Sequence, residues 1–236
     1  MHLLVLSDIH GDFSRAEKLN DEFKKADIVL FAGDFSELFK TETGSLILKE
    51  LMDKNENLLS VLGNCDAPEM LKELEKKDVS VQGDLIFKDG LFFAGAGGAL
   101  KFTGETANER DEDDLMSDLQ VVRDRSAEYA DAENSENKST QWNNLVLIVH
   151  QPPKDTKLDK ITAGIHVGSP ALTEFIKEYQ PLLLISGHIH ESAAIDQLGN
   201  TVMINPGSFA EGKYATVEIQ KENGEWKVAS SRLKQV

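Results

Sequence analysis

The sequence predicts an α/β fold in which two packed β-sheets are flanked by helices. Short apolar runs alternate with amphipathic stretches, which is the pattern of an α/β chain. The first half of the chain is predicted to consist of strand–helix units, so we expect its strands to be parallel. The last three or four strands are separated only by short turns such as Leu198–Asn200. We therefore expect them to form antiparallel hairpins.

The predicted strands are short apolar runs that end at turns or polar residues. In chain order they are His2–Ser7, Asp27–Ala32, Leu58–Leu62, Asp84–Phe87, Leu91–Ala94, Leu145–Val149, Leu182–Ser186, Ala193–Gln197, Val202–Asn205, Tyr214–Ile219 and Trp226–Ser230. The predicted helices have amphipathic spacing. They are Ser14–Lys24, Thr43–Lys54, Pro68–Lys76, Asp111–Asp131 and Ser169–Tyr179. Ser14, Asp66 and Ser169 are predicted caps near three of the helix starts.

Length and composition favour one cytoplasmic domain. The chain has 236 residues, of which 40% are hydrophobic, and we expect a single domain over residues 1–236. Its one cysteine, Cys65, excludes an internal disulfide and is typical of a reducing compartment. The apolar run Leu3–Leu6 is too short for the core of a secretory signal, and we expect no association with a membrane. The oligomeric state is not predicted.

Residues 105–136 form a strongly acidic segment. They contain twelve Asp or Glu and three Arg, a net charge of −9 within a chain of net charge −16. Four apolar residues of this segment share one helical face: Leu115, Leu119, Val122 and Tyr129. We interpret the segment as a solvated acidic helix packed on the domain. The overall charge argues against extended nucleic-acid binding, which needs a basic surface, but allows a small phosphorylated substrate held by metal ions.

One pattern recurs five times along the chain. An apolar run ends, and a side chain that can bind a metal ion follows it. The side chains concerned are Asp8, His10, Asp34, Asn64, His150, His188 and His190. Because the carboxyl ends of strands line the ligand crevice of open α/β sheets, we expect these residues to converge. Two carboxylates, four imidazoles and one carboxamide suit a pair of divalent ions such as Mn²⁺, Fe²⁺ or Zn²⁺.

Each of these features alone has a plainer interpretation. A single Asp at a strand end is more often a turn former or a helix cap, and a lone His is more often structural. Four of the six histidines of the chain nevertheless fall within the recurring pattern. This concentration favours a metal centre over unrelated turns.

The motifs resemble those of the calcineurin-like metallophosphoesterases, in the same order along the chain. The residues that carry the resemblance are Ser7-Asp8-Ile9-His10-Gly11, Gly33-Asp34, Gly63-Asn64, His150 and Gly187-His188-Ile189-His190. The resemblance implies a four-layer sandwich of two mixed β-sheets flanked by helices. It also implies two metal sites. One would be formed by Asp8, His10 and His190, the other by Asn64, His150 and His188, with Asp34 bridging both.

The resemblance implies metal-dependent hydrolysis of phosphate esters by a hydroxide that bridges the two ions. Mn²⁺ is the expected metal, with Fe, Zn, Ni or Co as alternatives, and the expected catalytic residues are Asp34, Asn64 and His150. The run Gly63-Asn64-Cys65-Asp66 resembles small prokaryotic phosphodiesterases, so we favour a phosphodiesterase. A phosphomonoesterase or nucleotidase with the same site is one alternative. A non-catalytic binding scaffold is the other.

Two further residues are candidate substrate contacts. Cys65 stands where many family members have a His, the candidate general acid for the leaving group; packing of the turn is its alternative role. His166 precedes a predicted helix whose N-terminus at Ser169 could hold a phosphate, or it lies in a plain surface loop. The segment Asn205–Ser208 is interpreted as a plain turn, with a position near the site as the alternative.

Overall fold

The computed structural model describes residues 1–132 and 142–236, with the side chains of residues 127–132 left outside this description. The strands are β1 (His2–Leu6), β2 (Ile28–Phe31), β3 (Leu58–Ser60), β4 (Leu85–Lys88), β5 (Leu91–Ala96), β6 (Ala99–Leu100), β7 (Glu109–Arg110), β8 (Leu145–Val149), β9 (Leu183–Ile185), β10 (Ala194–Leu198), β11 (Thr201–Asn205), β12 (Lys213–Glu222) and β13 (Glu225–Gln235). The α-helices are α1 (Asn20–Lys25), α2 (Gly44–Lys54), α3 (Leu71–Lys76), α4 (Glu112–Ser117), α5 (Gln120–Ala132) and α6 (Pro170–Tyr179).

Two mixed β-sheets form the centre of the molecule. One has the strand order β13-β12-β1-β2-β3 and the other β10-β11-β9-β8-β5-β4. Strands β1, β2 and β3 are parallel, as are β5, β8, β9 and β11. The pairs β10–β11 and β12–β13 are antiparallel hairpins, one at the edge of each sheet. The predicted antiparallel C-terminal hairpins are therefore confirmed. The predicted parallel arrangement of the first half is confirmed for β1, β2 and β3 but is wrong for β4, which forms an antiparallel hairpin with β5 across the short turn at Asp89 and Gly90.

The inner parallel strands of both sheets are buried on both faces, which explains why they are continuous apolar runs. In β1, Leu3 and Val5 belong to the core between the sheets, whereas Leu4 and Leu6 face the core shared with α1, α2 and α3. A third core lies between the six-stranded sheet and α4, α5 and α6. This order of helix, sheet, sheet and helix confirms the predicted four-layer fold.

The acidic segment is two helices and not the single predicted helix. The break falls at Asp118, whose carboxylate accepts hydrogen bonds from the guanidinium of Arg110. Leu115, Leu119 and Val122 are fully buried in the outer core, so the predicted apolar face does pack on the six-stranded sheet. The side chain of Tyr129 and residues 133–136, which belong to the same prediction, lie outside the described residues.

One of the three predicted caps is confirmed. Ser169 Oγ accepts a hydrogen bond from the backbone N–H of Leu172 at 3.0 Å, at the start of α6. Ser14 was wrongly predicted, because its hydroxyl donates to Asp12 and the 3-10 turn that follows has no side-chain cap. Asp66 was also wrongly predicted as a cap, because its carboxylate binds other backbone N–H groups.

A phosphate at the N-terminus of α6 was one of two alternatives in the sequence analysis, and the contacts of Glu112 argue against it. A carboxylate oxygen of Glu112 accepts hydrogen bonds from the N–H of Ala171 at 3.0 Å and from Ser169 Oγ at 2.6 Å. This carboxylate occupies the place at the helix N-terminus that an anion would take. Among the described residues, no helix is long and apolar enough to cross a membrane.

Candidate metal centre

The structure brings together all seven residues of the recurring pattern. They lie in the loops that follow β1, β2, β3, β8 and β9, at the carboxyl ends of parallel strands. Backbone hydrogen bonds join the first two of these loops, since the N–H groups of Ile9 and His10 both donate to the carbonyl of Asp34 at 3.0 Å. The fold itself therefore fixes which side chains meet.

The first group consists of Asp8, His10 and His190. The Nε2 atom of His190 lies 3.2 Å from Asp8 Oδ1 and 3.2 Å from the Nε2 atom of His10. The Nε2 atom of His10 is 3.8 Å from the same oxygen of Asp8. One carboxylate oxygen and two ring nitrogens thus face one small space.

The second group consists of Asn64, His150 and His188. The Nε2 atom of His150 lies 2.9 Å from Asn64 Oδ1, and the rings of His150 and His188 have their centroids 5.2 Å apart. The Nδ1 atom of His150 lies 2.6 Å from the carbonyl oxygen of Ala32. That contact fixes the ring so that Nε2 faces the group.

Asp34 lies between the two groups. Its Oδ2 atom is 3.6 Å from His10 Nε2 and 3.4 Å from His150 Nε2. Its other oxygen, Oδ1, accepts a hydrogen bond from the backbone N–H of Cys65 at 2.7 Å. One oxygen is therefore held by the backbone, and the other is directed at both groups.

Four of the seven residues have a left-handed backbone. The φ angles are 55° at Asp8, 49° at His10, 61° at Asp34 and 67° at His188. Non-glycine residues rarely adopt this conformation, and it persists only where the surroundings enforce it. The strain is concentrated at the residues whose side chains converge, which is typical of functional sites.

Glycines next to these residues allow the close approach. A Cβ atom at Gly63 would lie 2.0 Å from Asp34 Oδ1, and one at Gly187 would lie 1.9 Å from the hydroxyl oxygen of Ser7. Neither contact is sterically possible. The glycines of the two motifs are therefore required for packing around the carboxylates, and not only for turning the chain.

Two residues that hold the site in place were missed by the sequence analysis. The buried carboxylate of Asp66 accepts hydrogen bonds from the N–H groups of Asp34 at 3.0 Å, Ser36 at 2.8 Å and Gly63 at 2.8 Å. It therefore ties the loop after β2 to the loop after β3. The signal that could have indicated this role is its place two residues after Asn64.

Asn205 is the second such residue. Its Nδ2 atom donates to the carbonyl oxygen of Ile189 at 2.9 Å, within the loop after β9. Three residues later, the Ser208 hydroxyl donates to the carbonyl oxygen of Asp8 at 2.8 Å. The segment Asn205–Ser208 is therefore not the plain turn favoured by the sequence analysis. It has the alternative position near the site, where it supports two of the loops, although the individual contacts of Asn205 and Ser208 were not predicted.

The protein's own groups partly balance the two buried carboxylates. Burial acts to raise the pKa of Asp34, but the charge and hydrogen bond of His150 lower it below its ordinary value. The pKa of Asp8 is also lowered, because the hydrogen bond of His190 and the charge of His150 outweigh burial. Burial acts to lower the pKa of His150, yet Asp34 raises it to about 9. Burial and the charge of His150 lower the pKa of His188 to about 4, so its ring is neutral and its lone pair is free to bind a metal ion.

The donor set fits divalent metal ions. The Nδ1–H group of His150 donates to the carbonyl oxygen of Ala32, so in a neutral ring Nε2 carries no proton. This Nε2 atom faces the oxygens of Asn64 and Asp34, which are hydrogen-bond acceptors like Nε2 itself. Acceptors that face each other need a cation between them, either a proton on His150 or a metal ion. Three groups among the described residues have ligand atoms close enough together to hold one ion: Asp8 with His10 and His190, Asp8 with Asp34 and His150, and His10 with Asp34 and Cys65. That these residues bind metal stays a prediction.

The two candidate substrate contacts differ in their positions. Cys65 is buried beside the site, and burial, followed by the charge of Asp34, raises the pKa of its thiol. The ring of His166 is directed at a buried carboxylate, with Nδ1 2.7 Å from Asp159 Oδ1. Its neighbour Val167, and not His166 itself, lines a cavity of about 400 Å³ that ends at Asn64 and His188.

The sequence matches one protein family over most of its length. The family model for calcineurin-like phosphoesterases matches residues 1–192. An uncharacterized protein of Methanocaldococcus jannaschii is 31% identical to this chain over 222 residues, which is 92% of this chain and 92% of that protein.

Solved structures share the fold at low sequence identity. A protein of Thermus thermophilus is 17% identical with a TM-score of 0.62, over 92% of this chain and 93% of that chain. A dimetal phosphatase from Danio rerio is 11% identical with a TM-score of 0.59, over 100% of this chain and 98% of that chain. The fold, the ordered motifs and the match over residues 1–192 lead to one conclusion: this chain belongs to the calcineurin-like phosphoesterase family.

Proposed function

We propose that this protein is a phosphodiesterase that uses two divalent metal ions, with Mn²⁺ as the expected metal. The observation that carries the proposal is the position of Asp34. One of its oxygens lies within 3.6 Å of a nitrogen of His10 and within 3.4 Å of a nitrogen of His150. A carboxylate between two sets of metal-binding side chains is suited to bridge two ions.

The ligand sets of the proposal follow the two groups of side chains. One ion would be held by Asp8, His10 and His190, and the other by Asn64, His150 and His188, with Asp34 shared. Two divalent ions close together bind the oxygens of a phosphoryl group and lower the pKa of water, which makes hydrolysis possible without a nucleophilic side chain. Asp34, Asn64 and His150 would be the catalytic residues. These residues would hold the ions in fixed positions. In support of this role, Asp34 is itself held by the N–H of Cys65 and His150 by the carbonyl oxygen of Ala32.

The surroundings of the site favour a diester over a monoester. A phosphomonoester is close to a dianion at neutral pH, whereas a diester carries one negative charge, so a monoester needs more positive charge around it. Among the described residues that line the cavity, Lys101 is the one Lys or Arg, and its Nζ lies 2.7 Å from Asp111 Oδ2. The cavity also gives room for an organic group. A monoesterase or nucleotidase remains the second candidate.

We also propose that residues 1–236 act as one catalytic domain. Strand β12 pairs with β1, so the C-terminal hairpin completes the sheet that begins at the N-terminus. Helices α4 and α5 of the acidic segment pack on the other sheet through buried apolar side chains. The metal-binding loops are thus supported from both ends of the chain.

The first prediction concerns metal binding by Asp34. Asp34→Asn keeps the shape of the side chain but removes its charge, so we expect lower metal content and a loss of roughly 10³-fold or more in kcat/KM. Asp78→Asn is the matched control, because Asp78 is exposed and has a similar φ of 57°. Metal analysis, kinetics and thermal unfolding of both variants provide the comparison. A fully active Asp34→Asn enzyme would exclude the two-metal proposal.

The second prediction concerns the substrate class. With Mn²⁺ we expect hydrolysis of bis-p-nitrophenyl phosphate with a kcat/KM at least about tenfold above that for p-nitrophenyl phosphate. Both esters release the same phenolate, so the comparison reports on the charge and substitution of the phosphate. A reversed preference would support the monoesterase alternative. Cleavage of duplex DNA without activity on small diesters would contradict the proposal.

The third prediction concerns Cys65, whose contact with substrate stays a prediction. The thiol is 5% exposed and its pKa is raised, which favours the alternative of a packing role. A p-nitrophenolate leaving group needs little protonation, so Cys65→Ala should change its release by less than about threefold. Kinetics are to be measured with the metal content of each sample. A loss of about 100-fold or more at unchanged metal content would show that the thiol participates in the reaction.

A further inference from the structure

The cavity beside the candidate metal centre has a mostly apolar wall. It has a volume of about 400 Å³, within the usual range for small-molecule sites. Asn64 and His188 form its inner end, and its wall includes Leu100, Ile161 and Val167. A phosphate ester whose phosphoryl group lies at the metal centre would therefore extend its organic group into this space.

The aromatic ring of Phe102 lies at the open side of this cavity. Its residue is 94% exposed, which is unusual for a phenylalanine held on an ordered loop. The loop is ordered by Glu109, whose carboxylate accepts hydrogen bonds from the N–H groups of Phe102 at 2.8 Å, Gly104 at 2.9 Å and Thr106 at 3.2 Å. The backbone that carries the ring is thus held in place before any ligand binds, which lowers the entropic cost of a contact.

The polar side chains of the cavity are engaged within the protein. Gln151 uses both ends of its amide, accepting from Leu100 N–H at 3.0 Å and donating to the carbonyl oxygen of Val167 at 3.0 Å. The hydroxyl of Thr106 donates to Glu109 at 3.1 Å. Because these groups already form hydrogen bonds within the protein, a ligand in the cavity would be bound by shape and apolar contact more than by new hydrogen bonds.

We propose that this cavity binds a flat, apolar ring of the substrate, stacked on Phe102, while the phosphoryl group of the same ester lies at Asn64 and His188. The inference rests on the proposed function, because it places the phosphoryl group at the metal centre. It assigns the substrate class as phosphate esters of aryl or heteroaryl groups. Esters of small polar alcohols would leave the apolar wall in contact with water.

The test compares the monomethyl esters of methylphosphonate and phenylphosphonate, which carry one negative charge as a diester does and are named below by their phosphonates. Their binding to the Mn²⁺-loaded protein is measured by calorimetry, so the result does not depend on turnover. Burial and stacking of the ring should make phenylphosphonate bind about tenfold more tightly. In Phe102→Ala this preference should fall by about fivefold, while the Kd of methylphosphonate stays the same.

Two further variants sharpen the comparison. Phe87→Ala is the matched control, because Phe87 is 63% exposed on β4 and does not line the cavity. It should bind both phosphonates as the unmodified protein does. Ile161→Trp fills the cavity, so it should weaken phenylphosphonate selectively. Thermal unfolding verifies that each variant is folded.

The outcomes separate this inference from the proposed function. If both phosphonates bind equally well, or if Phe102→Ala and Ile161→Trp leave the preference unchanged, the ring site is excluded while the metal-held phosphoryl group stands. If neither phosphonate binds to the Mn²⁺-loaded protein, the proposed metal centre fails, and the inference that rests on it fails too.

Discussion

The loops of the candidate metal centre hold the buried carboxylates of Asp8 and Asp34 close together, and this arrangement is the constraint around which the site is built. Burying two like charges is costly unless each is hydrogen-bonded and a positive charge lies near. Backbone N–H groups supply part of the compensation, from Cys65 to Asp34 and from His188 to both oxygens of Asp8 at 3.2 Å. In the metal-free protein, a proton on His150, whose pKa is raised by Asp34, supplies more. Two divalent ions would replace that proton, since a histidine binds a metal ion in its neutral form, and would supply the remaining positive charge.

This requirement explains features that lie far from one another in the sequence. The left-handed φ angles at the candidate ligands direct their side chains inward, and the glycines at positions 63 and 187 leave room for the carboxylates. Asp66 and Asn205 then lock the supporting loops by accepting from or donating to their backbones. The apolar cores on the two faces of each sheet bury the inner strands whose ends carry these loops. Pre-organisation of this kind places the strain at the site and the stabilising contacts around it.

Much of the fold and of the candidate site could be predicted from the sequence, because apolar runs mark the buried strands and the candidate ligands follow them directly. What escaped prediction depends on partners distant in sequence. In the sequence Asp66 has the features of a helix cap, and its actual partner is the backbone of the loop after β2. The helix break at Asp118 coincides with a contact to Arg110, which lies in β7. The short strands β6 and β7 have no periodic signal, so the cavity that they border could not be foreseen.

The central claim is that one carboxylate, that of Asp34, is shared by two metal ions. The most direct measurement is anomalous diffraction at the manganese edge from crystals grown with Mn²⁺. We expect two separate manganese peaks with the Asp34 carboxylate bound to both, one flanked by Asp8 and the other by His150. A single peak, or two peaks that the Asp34 carboxylate does not join, would contradict it.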